Sequence, residues 1–176
     1  MITRNTDVHV GTDFTTSEIE NSEVFRQGIV AGAIGAATVA LWFFAIDVIA
    51  GRPLYTPTVL GTALFHHGAG LDSPQSIQPA FETVVVFTWV HFLIFAVIGG
   101  AVSYLVSVAE KRPRLGFGIV LLFVLFEYGF LAVNMIFAQD VLQALSWPGV
   151  LAGNVLAAVT MGIYLWRKHP NLRILP

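Results

Sequence analysis

The chain has 176 residues, of which 56% are hydrophobic and 11% charged, with a formal net charge of −2 and no cysteine. Soluble domains carry roughly 25% charged residues, so this composition is that of an integral membrane protein with little soluble mass. It excludes disulfides, cysteine-ligated zinc and iron–sulfur clusters, and it is not basic enough for a nucleic-acid footprint.

Residues 1–26 form a polar N-terminal segment in which Asp7, Asp13, Glu18, Glu20 and Glu23 outnumber Arg4 and Arg26. Residues 1–15 read as a disordered tail. Residues 16–25 read as a short helix, capped by Thr16, Ser17 or Ser22, that runs into the first span. A cleavable signal peptide is not expected, because it would begin with a basic region and lead directly into its apolar stretch.

A membrane domain over 27–166 follows. Spans are expected at about 28–50, 84–109, 115–138 and 148–166, each long enough to cross a hydrocarbon core of ~30 Å. The outer loop 51–83 is the largest connection. In it Thr56 and Pro57 look like an N-cap and first helical residue, so 58–65 is expected to be a short, mostly apolar helix lying at the membrane interface or capping the bundle. The turn 110–114 makes the second and third spans antiparallel neighbours. Pro148 opens the fourth span, and Tyr164 and Trp166 beside Arg167 and Lys168 anchor its far end. Residues 167–176 form a short tail.

The basic residues set the orientation. Arg4, Arg26, Lys111, Arg112, Arg114, Arg167, Lys168 and Arg173 fall in alternate gaps between spans, and Arg52 alone falls in the others. Eight against one is the positive-inside asymmetry of a four-span, multi-pass protein with both termini cytoplasmic, of the bacterial inner-membrane type.

Small residues recur every fourth position: Gly28, Gly32, Ala36 and Ala40 in the first span, Gly99, Ser103 and Ser107 in the second, Gly149, Gly153 and Ala157 in the fourth. Such stripes flatten a helix face so that another backbone can approach. They serve either internal packing or a partner protein, and the first-span stripe is the best candidate for a docking face.

Ionisable groups at membrane depth are functional candidates by default. At ~1.5 Å per residue, His91 falls about 10–14 Å inside the second span and Glu127 about 18 Å inside the third. Thr88 shares the face of His91, and Asn134 that of Glu127. Asn154 and Asp47 lie nearer the outer surface. Together these six are expected to line one intramembrane polar pocket: an interhelical hydrogen-bond network, a proton or ion path, or a ligand site. His66 and His67 are weak metal candidates, because adjacent side chains point different ways, and no metal site is expected. Haem held by two histidines would need a second imidazole at depth besides His91. No cofactor is expected, with haem or quinone as the remote alternatives.

No phosphate loop, nucleophile elbow or zinc-protease signature is present, so no enzyme activity is expected. The fold is expected to be an all-α bundle of four transmembrane helices. Its expected role is a non-catalytic accessory subunit of a larger membrane complex, of an energy-transducing (respiratory or photosynthetic) type. Its partners would be other membrane subunits and the lipid bilayer; no soluble substrate is indicated. The alternatives are a small oligomeric transporter or channel with His91 and Glu127 on its path, and a haem- or quinone-binding redox protein.

Overall fold

The structure, a computed structural model, describes residues 10–65 (side chains from residue 22), 78–112, 114–118, 145 and 147–170. Among these the regular structure is entirely helical. Four helices are complete: α1 (Val10–Ile49), α2 (Tyr55–Phe65), α3 (Phe81–Lys111) and α4 (Trp147–Lys168). Three carry segments long and apolar enough to cross a membrane: Ser22–Ile49, Phe81–Lys111 and Trp147–Lys168. Residues 114–118 are helical, but the rest of the span expected at 115–138 lies outside the described residues, as do Glu127, Asn134, His66 and His67.

Helices run past the apolar limits at both ends, because hydrogen bonding continues through polar residues. α1 is one unbroken helix of 40 residues. It starts at Val10, inside the stretch expected to be a disordered tail, and passes without a break through the acidic segment. α3 likewise begins at Phe81 rather than Val84.

α1 is the hub, with α3 and α4 packed on adjoining faces of it. Against α3 the register is fixed by four-residue steps. Ser103 Oγ donates to the Val24 carbonyl (2.8 Å), and His91 Nε2 bonds the Ala36 carbonyl (3.2 Å). Between these two bonds Gly28 lies on Gly99 and Gly100, and Gly32 lies on Phe95 and Ala96. Rising positions on α1 meet falling positions on α3, so the two helices are antiparallel. The contact is backbone to backbone: a Cβ on Gly28 would lie 2.5 Å from the Gly100 Cα. That face of the first-span stripe is therefore occupied by α3.

α4 is also antiparallel to α1. Thr38 and Thr160 hydroxyls meet at 3.1 Å, and Ala31 packs with Met161 and Leu165. Gly153 faces Trp42 and Phe43, and the Trp42 indole N–H donates to the Gly149 carbonyl (2.9 Å). Trp42→Phe keeps most of the ring and removes this bond. It is expected to cost about 1 kcal/mol, measured by equilibrium unfolding in mixed detergent and SDS micelles. An unchanged midpoint would show that the indole contributes by packing alone.

α2 lies across the end of the bundle where α1 finishes. Its Tyr55 and Val59 form a small core with Leu145, backed by Val150 of α4. Gly61 admits the Thr83 and Phe87 side chains of α3. At the opposite end, near the start of α1's apolar segment, His169 closes the bundle. It is 8% exposed. Its Nδ1 pairs with the Glu110 carboxylate at 2.6 Å, and its Nε2 lies 3.0 Å from the Gln27 amide oxygen. The Gln27 amide nitrogen in turn donates to Glu23 (3.0 Å). This chain of bonds ties α1, at the start of its apolar segment, to the ends of α3 and α4.

Candidate functional site

The stripe Gly28, Gly32, Ala36 holds α1 and α3 in contact as far as His91. Beyond that point, at Ala40, a cavity of about 290 Å³ opens between α1, α2 and α3. Its size is at the low end of the roughly 300–1,000 Å³ typical of ligand pockets. Most of its wall is aliphatic or aromatic, including Phe43, Phe44, Leu60 and Phe87. Four polar residues line it: Asp47, Thr56, Thr88 and His91.

Each of these is placed by a specific local arrangement. His91 sits among aromatic rings, 4.8 Å between centroids from Phe95 and 5.8 Å from Phe87. Its bond to a carbonyl, which can only accept, puts a ring proton on Nε2; in the neutral imidazole this leaves a lone pair on Nδ1. Thr88, one turn earlier on α3, donates its hydroxyl to the Val84 carbonyl (2.7 Å). Asp47 is 3% exposed. Its carboxylate accepts the Thr56 backbone N–H (2.7 Å) and the Thr56 hydroxyl (2.8 Å).

Asp47 thus acts as the cap of α2, supplied by another helix. A helix leaves its first N–H groups without intrahelical partners, and the expected local cap, Thr56, instead lies inside the helix. The residue before α2 is Leu54, with φ of +68°. That conformation is uncommon for a residue carrying a Cβ, and the connection 50–54 is held in shape around it. Arg52 donates its N–H to the Asp47 carbonyl (2.8 Å) and stacks its guanidinium over Tyr55 at 4.0 Å.

The structure therefore brings together three of the six residues expected in one pocket: Asp47, Thr88 and His91. Asn154 is half-buried on α4 and does not line the cavity, because α4 packs on a different face of α1 from α3. Glu127 and Asn134 fall outside the described residues. Of the packing residues, Gly28, Gly32 and Ala36 face α3, Ala40 borders the cavity, and Gly149 and Gly153 meet Trp42. Among the described residues no cluster of three His, Cys, Asp or Glu side chains is arranged to hold a metal ion. Sequence reasoning missed the His169–Glu110–Gln27 network. Nothing in the sequence around His169 signals partners 59 and 142 positions away.

Compared with protein-family models, curated proteins and solved structures, the chain finds no match in any of the three.

Proposed function

We propose that the protein is a non-catalytic subunit of a larger membrane assembly, crossing the bilayer four times with both termini cytoplasmic. The observation that carries this reading is the length of α1. Its apolar segment starts at Ser22, yet the helix starts at Val10, so residues 10–21 continue the helix about 18 Å beyond the membrane segment at ~1.5 Å per residue. This extension carries Asp13, Glu18 and Glu20 and no Lys or Arg. Isolated helices of a dozen residues are marginal in water. An acidic helical arm continued from a membrane span is suited to docking on a basic surface of a neighbouring subunit.

The topology has its own support. α3 ends beside Gln27 and His169, and α4 begins beside Trp42 and Tyr55, at the opposite end of α1. A further span at 115–138, read from the hydropathy of the sequence, would carry the chain from the one end to the other. The alternating distribution of basic residues supports an orientation with the acidic arm inside, and the membrane in this reading is a bacterial cytoplasmic one.

Extraction from native membranes in mild detergent, followed by mass spectrometry, tests it. A stoichiometric set of other membrane proteins is expected, depleted when Glu18 and Glu20 are both replaced by lysine. A particle containing this chain alone would overturn the subunit reading.

A further inference from the structure

We infer that the cavity between α1, α2 and α3 is a binding site for a small apolar molecule bearing a hydroxyl group. The inference goes beyond the subunit reading and does not depend on it.

The argument is a hydrogen-bond balance. Four polar side chains line the cavity, and every donor among them is already used. The Thr88 hydroxyl proton goes to the Val84 carbonyl. The Thr56 hydroxyl and backbone N–H both go to Asp47. The His91 Nε2 proton goes to the Ala36 carbonyl. What remains is lone pairs: Nδ1 of His91, Oγ1 of Thr88 and the oxygens of Asp47. Among the described residues, the cavity wall offers acceptors and no side-chain donor that is not already engaged.

A wall of this kind discriminates by chemistry. A ligand carbonyl or ether presents lone pairs to lone pairs and gains nothing. A hydroxyl supplies the missing donor, and unlike an ammonium ion it brings no charge that the apolar wall would have to desolvate. Both Asp47 oxygens already hold a donor from Thr56, so the carboxylate does not call for a cation. The neutral acceptors, His91 and Thr88, are one turn apart on α3, at the end of the cavity where α1 and α3 close together. A hydroxyl seated there leaves the rest of the molecule among Phe43, Phe44, Leu60 and Phe87. Among redox carriers, the same balance favours a quinol over its quinone.

A matched pair of probes isolates the donor: para-hexylphenol, and para-hexylanisole, in which a methyl group replaces the hydroxyl proton. Binding to the full-length protein is measured by calorimetric titration in maltoside micelles, with partition into protein-free micelles subtracted. The phenol is expected to bind about tenfold more tightly than the ether, the worth of one hydrogen bond. His91→Phe keeps a ring in the aromatic cluster and removes the acceptor; it is expected to abolish the preference while leaving the ether unaffected. Thr88→Val preserves shape and removes only a hydroxyl whose donor bonds its own helix, so it keeps the test open if His91→Phe fails to fold. It is expected to reduce the preference several-fold. Equal binding of phenol and ether, no binding of either, or a preference that survives both substitutions would overturn the inference.

Discussion

Replacing Gly32 by leucine is expected to separate α1 from α3 and to cost the isolated protein ~3 kcal/mol or more, the upper range for overpacking. The reason lies in what surrounds the position. A Cβ on Gly32 would collide with the Phe95 carbonyl and come within 2.8 Å of the Ala96 Cα. These are backbone atoms of a helix, so no rotamer change relieves the clash. Gly99 is in the same state from the other side, against the backbone of Gly28 and Gly32. The close approach also brings Ser103 within reach of Val24 and His91 within reach of Ala36, and separating the helices loses both bonds. Gly162→Leu is the control: among the described residues nothing lies within 4 Å of where its Cβ would be, and its substitution is expected to stay within about 0.5 kcal/mol. Equilibrium unfolding in SDS-containing micelles measures both. If Gly32→Leu left the isolated protein as stable as the control and only detached co-purifying proteins, the stripe would be a docking face and not an internal joint.

That joint was half legible in the sequence. The four-residue spacing of Gly28, Gly32 and Ala36 marks a flat face on α1, and that of Gly99 and Ser103 marks another on α3. Spacing does not say that the two faces meet, because the meeting depends on the relative rotation of two helices separated by the whole outer loop. The same limit explains the cavity. Thr88 and His91 are three apart on one helix and were readable as one patch. Asp47 joins them because α2 folds back across α1 and α3, and Asn154 does not because α4 takes another face of α1. The ends of the helices were misjudged for a different reason. Residues 16–25 run as a helix into the first span, as expected, but hydropathy reports only where a helix is apolar, and α1 begins further back, at Val10, continuing through Asp13 with its backbone bonds intact.

The start of α2 shows how far local rules reach. Thr56-Pro57 reads as a cap followed by proline, yet the helix begins at Tyr55 and Thr56 is held from outside. The carboxylate that holds it is nine residues back, on α1. A cap supplied by tertiary structure has no signature in a window of a few residues, and Asp47 therefore looked like a member of a polar vestibule. Leu54 adds to this: nothing about leucine announces a positive φ, and the conformation persists because bonds on both sides impose it.

Asp47→Ala is expected to release α2 from the bundle at a cost of about 3 kcal/mol, the worth of hydrogen bonds to a buried charged group together with the donors left unpaired. Thr56 is 4% exposed, so its N–H and hydroxyl would lose their acceptor with little access to water. The strained Leu54 would lose one of the constraints that hold it, favouring relaxation of the connection and fraying of the first turn of α2. Hydrogen exchange should report this locally: amides of residues 52–65 are expected to exchange faster, while those of α4 keep their protection. Asp47→Asn separates charge from geometry. Its amide oxygen can still accept the Thr56 N–H, and its amide nitrogen can donate to the Thr56 hydroxyl once that hydroxyl turns to accept, so most of the stability is expected to return. Unchanged exchange over 52–65 in Asp47→Ala would refute the capping role. The same substitution bears on the cavity, since α2 supplies one of its walls through Leu54, Thr56, Pro57 and Leu60. A released α2 leaves His91 and Thr88 in place on α3 but removes the enclosure around them. Binding of the phenol probe should then fall toward that of the ether, in step with the loss of protection in α2.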